Sequence, residues 1–163
     1  MAEGVYYPDE GGAHVNNDAW ETFLINWNNV QLYGGFCGYG PASETLRTQR
    51  DWTAHPTILS GDLQQDDTNT DENAIAETWN DMQGSNAYNV LILDGRTNQP
   101  LTGDTVIDGF IVTAGDGDPI GAFGSGLYCS EWGGWTCVQP HVVAPHLQRQ
   151  PGLLRRGDVQ RWC

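Results

Sequence analysis

The densest set of potential metal ligands in the sequence is an acidic, amide-rich stretch near its middle. From Asp67 onward its side-chain oxygens recur at alternate positions, as in the loop of an EF-hand, where alternate residues coordinate Ca²⁺. The stretch departs from that loop because Glu72 replaces the glycine and Thr78 replaces the bidentate glutamate. The sequence favours a solvated acidic loop, with a Ca²⁺ site as the alternative. The ligands of that Ca²⁺ site would be Asp62, Asp66, Asp67, Asn69 and Asp71.

The same carboxylates raise the question of catalysis. Glycoside hydrolysis needs one carboxyl group to protonate the leaving group and a second to activate water, and Asp66 and Asp67 are the available pair. A polysaccharide lyase would need a base beside Ca²⁺-held carboxylates, and Arg96 is the only isolated candidate. Nothing in the sequence places Arg96 near the acids, so we interpret the chain as non-catalytic.

The cysteines and histidines form no recognisable zinc or nucleophile motif. Seven residues separate Cys129 from Cys137, whereas the paired ligands of a zinc site are closer together. Cys37 lies in the sequence Gly35-Phe36-Cys37-Gly38 and is interpreted as a small buried residue. None of the 4 histidines stands in a context that marks it as a partner for a nucleophilic thiol.

Aromatic side chains offer a third kind of chemistry, the stacking of sugar rings. They flank short apolar runs, where an aromatic ring more often packs at the rim of a core. The candidates are Trp20, Trp27, Trp52, Tyr6, Tyr7 and Tyr33. We predict a packing role for them and assign no ligand contact.

The charge of the chain excludes some classes of partner. Its 163 residues include 21 acidic and only 7 basic residues, all of them arginine, and the formal net charge is −14. A surface this negative repels a phosphate backbone, so no nucleic-acid partner is expected. No run approaches the about 20 apolar residues that cross a bilayer as a helix, so no membrane span is predicted.

Short strands are the elements that would position these side chains. Several brief runs rich in β-branched residues end at Gly, Asn or Asp, which is typical of strands and tight turns. In Leu59-Ser60-Gly61 and Ile107-Asp108-Gly109 an aliphatic residue precedes a glycine by two positions, and the glycine permits a corner. Such repeated units become stable when successive coils stack. The sequence therefore favours an all-β parallel solenoid of few coils over a β-sandwich, although Asp94-Gly95 and Asp108-Gly109 are also compatible with hairpin turns. The signals for helix are weak and predict only short helical excursions at residues 42–51 and 74–82.

Four segments follow one another in an order that matches a known family: Val30–Phe36, Arg50–Asp62, Asn86–Val90 and Val106–Gly115. Together they resemble the bacterial right-handed parallel β-helix repeat proteins, which are pectin-lyase-like solenoids related to the repeats of polymorphic outer-membrane proteins. The resemblance covers nearly all of residues 3–128. It implies that residues 1–128 form a single-stranded right-handed parallel β-helix.

The resemblance also bears on how the chain begins. In the family an earlier coil and a signal peptide normally precede a segment like Glu3–Pro8. Met1 would then be an internal start, and the chain would be an N-terminal fragment of a longer protein. The implied location of that protein is secreted or at the cell surface.

Residues 129–163 depart from the family and are predicted to be an irregular tail. Residues 1–128 carry 19 acidic residues and three arginines, a net charge of −16, whereas residues 129–163 carry two acidic residues and four arginines, a net charge of +2. Three of the 4 cysteines also lie in the tail. Codons that this peptide allows can spell a family-like coil when read one base out of register. A frameshift near Tyr128 is therefore one explanation, and a tail without a selected fold would follow from it.

The resemblance implies a non-catalytic scaffold whose loops serve adhesion or contact with a polysaccharide or cell-surface glycan, with no cofactor unless Ca²⁺ binds. One alternative is a polysaccharide lyase or glycoside hydrolase of the same fold. Asn69-Thr70-Asp71 matches a tripeptide in the active sites of pectin-cleaving hydrolases, but the partner motifs Gly-His-Gly and Arg-x-Lys are missing. The other alternative is a Ca²⁺-stabilised structural module.

Overall fold

The structure is a computed structural model that describes residues 1–40, 44–68, 70–117 and 125–130. Over these residues it contains short β-strands and one turn of 3₁₀-helix, Arg47–Gln49. The strands are β1 (Gly4–Tyr6), β2 (Phe23–Ile25), β3 (Gln31–Tyr33), β4 (Thr57–Ser60), β5 (Asn89–Asp94), β6 (Val106–Asp108), β7 (Phe110–Thr113) and β8 (Ser125–Ser130). The described part of the chain is all-β, as the sequence predicts.

Strands β1 to β5 each pair with the strand three places further along the chain. One sheet has the order β1-β4-β7, a second has the order β2-β5-β8, and a third pairs β3 with β6. All of these ladders are parallel. Parallel neighbours need a connection that returns the chain to its starting end, and here the two intervening strands supply it. Successive strands of the chain thus belong in turn to the first, second and third of three small parallel sheets.

In-register pairing stacks aliphatic side chains from one strand onto the next. Leu59 in β4 is the partner of Val112 in β7, and Ile25 in β2 is the partner of Leu93 in β5. Strands of all three sheets contribute to one buried cluster, so burial of apolar surface, at roughly 25 cal/mol per Å², holds them together. The cluster consists of Ile25, Leu59, Val90, Leu91, Leu93, Leu101, Ile107, Phe110 and Val112.

The corners between strands stack as well. Gly34 follows β3 and lies against Gly109, which follows β6; a Cβ on Gly34 would come within 2.2 Å of the Gly109 carbonyl oxygen. Gly61 follows β4 and lies in the same way against Ala114, which follows β7. Gly109 has φ +80°, a conformation that glycine adopts without strain. Glycine is therefore needed at these corners for close approach and for chain direction.

The predicted helix at 74–82 is wrong. Ile75 N–H donates to Asn73 Oδ1 at 2.8 Å, and Thr78 N–H donates to Asp81 Oδ2 at 2.7 Å. Side-chain acceptors of this kind compete with the helical hydrogen-bond pattern, and they hold the segment in turns. Of the predicted excursion at 42–51, the described residues contain only the 3₁₀ turn.

The last described strand crosses the predicted boundary between body and tail. In β8, Cys129 pairs in register with Leu93 and Ser130 pairs with Asp94. The remainder of the tail, residues 131–163, lies outside the described residues. The frameshift near Tyr128 or Cys129 stays a prediction. No helix in the described part is long and apolar enough to cross a membrane.

Candidate functional site

Three of the predicted Ca²⁺ ligands converge just after the Gly61 corner. Asp62, Asp66 and Asp67 each bring a carboxylate oxygen to within 4.8 Å of the other two. We call these three residues the acidic turn. Asp62 is only 8% exposed, whereas Asp66 is open to solvent. The short spacing of the three residues and a turn with positive φ at Gln65 account for their convergence.

Backbone hydrogen bonds already occupy much of the acidic turn. Asp62 accepts from the backbone N–H groups of Asp66 and Asp67, both at 3.1 Å. Asp67 accepts from Gln83 N–H at 2.6 Å and from Asn86 Nδ2 at 3.0 Å. These bonds tie the two ends of the long excursion between β4 and β5 together, so the carboxylates have a structural role in the absence of any ligand.

The acidic turn is a region of strongly negative potential. Burial raises the pKa of Asp67, and the neighbouring Asp62 and Asp66 raise it further, against the hydrogen bonds from Gln83 and Asn86. The pKa of Tyr7 is also raised, first by burial and then by the charges of Asp62, Glu10 and Asp67. A divalent cation would relieve only the part of both shifts that comes from the neighbouring negative charges, and not the burial that is the largest single cause of each.

Of the other two predicted ligands, Asp71 does not belong to this group. Asp71 instead accepts hydrogen bonds from the backbone N–H of Asn73 at 3.4 Å and from its Nδ2 at 2.8 Å. Asn69 lies outside the described residues. The structure therefore brings together Asp62, Asp66 and Asp67 from the predicted set, and the full five-residue set stays a prediction.

A second candidate site is a cleft of about 210 Å³ beside the β2-β5-β8 sheet. We call it the Trp20 cleft, and its principal lining residues are Trp20, Tyr88, Asn89, Ile92, Arg96 and Tyr128. Its volume is below the roughly 300–1,000 Å³ typical of sites for drug-sized ligands. The cleft therefore suits one ring of a longer molecule that lies across it.

The aromatic wall of the Trp20 cleft is fixed by backbone contacts. The ring of Trp20 meets that of Tyr88 edge-on, with centroids 4.9 Å apart and planes at 78°. Tyr88 N–H donates to the Ala19 carbonyl at 2.8 Å, which joins the segment before β2 to the segment before β5. Despite these contacts Trp20 is 65% exposed. An indole this exposed and this well positioned is available for stacking.

Arg96 borders the same cleft and is oriented by Asp94. The backbone N–H and the Nε of Arg96 both donate to Asp94 Oδ1, at 2.9 and 3.1 Å. Thr97 Oγ1 and Ser130 Oγ donate to the same carboxylate. Burial alone would raise the pKa of Asp94, but these hydrogen bonds outweigh it and hold that pKa well below its ordinary value. Asp94 is therefore ionised and keeps the guanidinium at the cleft edge.

One residue that lines the cleft has a buried side-chain oxygen that accepts no hydrogen bond from the described residues. Asn89 Oδ1 is buried, and it has no hydrogen-bond partner among the described residues. Such an atom costs about 1–3 kcal/mol.

Sequence reasoning considered two residues of this cleft, but it predicted a packing role for Trp20 and did not predict the cleft. It named Trp20 as a stacking candidate and Arg96 as an isolated cation, but it did not join them. Tyr88, Asn89 and Tyr128 were missed, because their proximity depends on the pairing of β5 with β8, in which Ile92 and Tyr128 are partners. Of the other aromatic candidates, Tyr6 packs against the core as predicted, and Tyr33 lies under the guanidinium groups of Arg47 and Arg50.

No protein-family profile, no curated protein and no solved structure matches this chain. The resemblance to parallel β-helix repeat proteins therefore stays a prediction that rests on the quoted segments.

Proposed function

We propose that residues 1–128 are part of a right-handed parallel β-helix that serves as a non-catalytic scaffold in a secreted or cell-surface bacterial protein. The pairing of each of the strands β1 to β5 with the strand three places later, always in parallel, supports successive coils wound in one direction. Right-handedness agrees with the strong preference of parallel crossover connections for that hand.

The role of the scaffold is to contact a glycan at the Trp20 cleft. The observation that carries this proposal is the exposed Trp20 indole, held edge-on by Tyr88 in a cleft that Arg96 borders. The apolar C–H face of a sugar ring packs against an indole, while its hydroxyl groups need hydrogen-bond partners. Arg96, at the edge of the cleft, supplies hydrogen-bond donors.

The test is binding of the full chain to a panel of neutral and acidic oligosaccharides, measured by calorimetry. We expect Trp20→Ala to weaken binding of any captured glycan at least tenfold, about 1.4 kcal/mol, because exposed aromatic anchors carry much of the energy of an interface. The matched control is Trp27→Ala, since Trp27 is 60% exposed and does not line the cleft. Absence of glycan binding, or equal loss in both variants, would refute the proposal.

The same panel of glycans can be used to distinguish a non-catalytic scaffold from an enzyme. The enzyme alternative is a lyase or glycoside hydrolase of the same fold. Incubation followed by measurement of reducing ends and unsaturated products, with and without Ca²⁺, would detect either activity. We expect no product over the background of a chain-free control.

The acidic turn supports a second candidate, a Ca²⁺-stabilised module. Ca²⁺ prefers oxygen ligands and takes about 6–8 of them, and three converging carboxylates supply a partial shell that water would complete. We expect Ca²⁺ to raise the thermal midpoint relative to EDTA, and Asp66→Asn to abolish that difference. Asp71→Asn is the matched control, because Asp71 does not belong to the group. A melt that is unchanged by EDTA removes this candidate.

A further inference from the structure

A different set of side chains meets at the opposite end of β4 from the acidic turn. Glu3 precedes β1, Cys37 lies in the connection after β3, and His55 lies two residues before β4. One ligand atom from each of the three lies within 4.8 Å of the other two: a carboxylate oxygen, the thiol sulfur and a ring nitrogen. His55 and Cys37 are partly buried, and Glu3 is exposed, so the cluster opens to solvent.

Backbone hydrogen bonds hold the three segments side by side. Glu3 N–H donates to the Phe36 carbonyl at 2.6 Å, and Gly4 N–H donates to the Pro56 carbonyl at 3.0 Å. These two bonds place Glu3 directly beside the neighbours of both Cys37 and His55. The cluster is therefore set by the β1-β4 ladder and by the parallel bridge between Ala2 and Phe36.

The backbone at Cys37 and His55 is also held locally, and the side chains of His55 and Glu3 contact each other. Both carboxylate oxygens of Glu44 accept from the backbone N–H of Cys37, at 2.9 and 3.1 Å. His55 N–H donates to the Asp51 carbonyl at 2.8 Å, and His55 Nδ1 lies 2.8 Å from Glu3 Oε2.

We propose that Glu3, Cys37 and His55 form a binding site for a divalent transition metal of the Zn²⁺ class. Sulfur, imidazole nitrogen and carboxylate oxygen are the donors that Zn²⁺ takes, with bonds of about 2.0–2.3 Å. In a tetrahedral site such ligands stand about 3.3–3.8 Å apart, so small side-chain rotations from the observed cluster suffice. Three protein ligands leave a fourth position for water.

Binding of the metal ion releases one proton, from the Cys37 thiol, and transfers no electrons. The metal takes the ring nitrogen of His55 and an oxygen of Glu3, and it binds the Cys37 sulfur as the thiolate after the thiol proton has passed to the buffer. No group is oxidised or reduced. One thiolate and one carboxylate then neutralise the two positive charges of the ion.

The chain contains an internal control for this site. His14 and Glu21 form the same type of pair, with Nδ1 and Oε2 2.7 Å apart, but no thiol joins them in the described structure. A cation that needs only a histidine–carboxylate pair would bind at His14 and Glu21 as well as at His55 and Glu3. A cation that also needs the Cys37 thiolate would bind only at His55 and Glu3.

The experiment is titration of the full, reduced chain with Co²⁺ and with Zn²⁺. A Co²⁺–thiolate bond gives a charge-transfer band in the near ultraviolet, and we expect it to saturate at one ion per chain and to disappear when Zn²⁺ is added. The band should persist in the triple variant Cys129→Ser, Cys137→Ser, Cys163→Ser, in which Cys37 is the only thiol. This variant reports on Cys37 without altering the site.

Ligand variants complete the test. Cys37→Ser should remove the band, and both it and His55→Ala should weaken Zn²⁺ at least tenfold, because even outer-shell changes commonly cost about 10–100-fold in affinity. His14→Ala should leave affinity unchanged. Absence of the band in the triple variant, or equal weakening by His14→Ala, would overturn the proposal. Circular dichroism of each variant verifies that it is folded.

Discussion

Two connections join the same pair of sheets and differ greatly in length. The connection from β3 to β4 runs from residue 34 to residue 56, whereas the connection from β6 to β7 is Gly109 alone. Nevertheless β3 pairs in register with β6, and β4 pairs in register with β7. The position of the strands is thus set by the ladders and by the core rather than by loop length. Long connections are consequently available to carry sites, and the longer of these two carries Cys37 and His55.

The two kinds of region also differ in what stabilises them. The ladders depend on buried aliphatic rows, and the long connections depend on carboxylates that accept backbone N–H groups. Asp51 Oδ1 accepts from Thr53 and Ala54, both at 3.0 Å, and Glu21 Oε1 accepts from Val15 at 2.9 Å. Much of the acidity of the chain therefore serves to close its loops.

The largest expected effect comes from the core. Leu91 in β5 is 1% exposed, and Leu91→Ala should lower the free energy of unfolding by about 2–5 kcal/mol, because it leaves a cavity. The control is Leu24→Ala, since Leu24 lies on β2 but is 52% exposed. Chemical denaturation of both variants measures the difference. Equal effects would contradict the central role of the ladder core.

The second-largest loss of stability is expected at the contact between the β3–β4 connection and the β6–β7 connection. Gly34→Ala would drive a Cβ into the carbonyl of Gly109, and we expect a loss of about 1–3 kcal/mol from overpacking. Gly12→Ala is the control, because a Cβ there meets nothing within 4 Å. Thermal and denaturant melts of the pair would measure this effect. Tolerance of Gly34→Ala would mean that the two corners are not closely stacked.

A similar or smaller loss of stability is expected where Arg50, in the β3–β4 connection, contacts Asp108 at the end of β6. Arg50 forms an ion pair with the carboxylate of Asp108 and donates to the Asp108 carbonyl at 3.2 Å. Arg50→Met should cost about 1–2 kcal/mol, since it leaves these acceptors without their charged donor. Arg47→Met should cost less, because Arg47 lies in the exposed 3₁₀ turn. If unfolding shows the reverse order, this attachment is not structural.

The smallest effect should depend on pH. The pKa of Asp94 is lowered in the folded state, so its stabilisation is present above the unfolded pKa of about 3.9 and is lost as the pH falls towards the folded value. Asp94→Asn should therefore cost about 1 kcal/mol at pH 7 and less at pH 3. The exposed Asp104 provides the matched variant Asp104→Asn, for which we expect no such trend. Denaturant unfolding at the two pH values checks both.

Local signals in the sequence were enough to predict strands β2 to β7 and the corners at Gly61 and Gly109, but they did not predict β8, which runs into the predicted tail. The β-branched runs ending in Gly61 and Gly109 are strands followed by corners, because side-chain alternation and glycine freedom are local properties. The helix predicted at 74–82 failed because Asn73 and Asp81 accept backbone N–H groups that a helix would need. Neither the Trp20 cleft nor the Glu3, Cys37 and His55 cluster was predicted, since both combine residues from segments that only the parallel pairing brings together.

The parallel, in-register ladders also fix the distance between equivalent residues of neighbouring strands. Neighbouring strands in a sheet stand about 4.7–4.9 Å apart, so equivalent positions such as Ile92 and Tyr128 differ by one fixed step along the stack. A contact made at one level can be repeated at the next with the same orientation. For the glycan contact that we propose, this spacing would place binding residues of successive strands at regular intervals along a linear polymer.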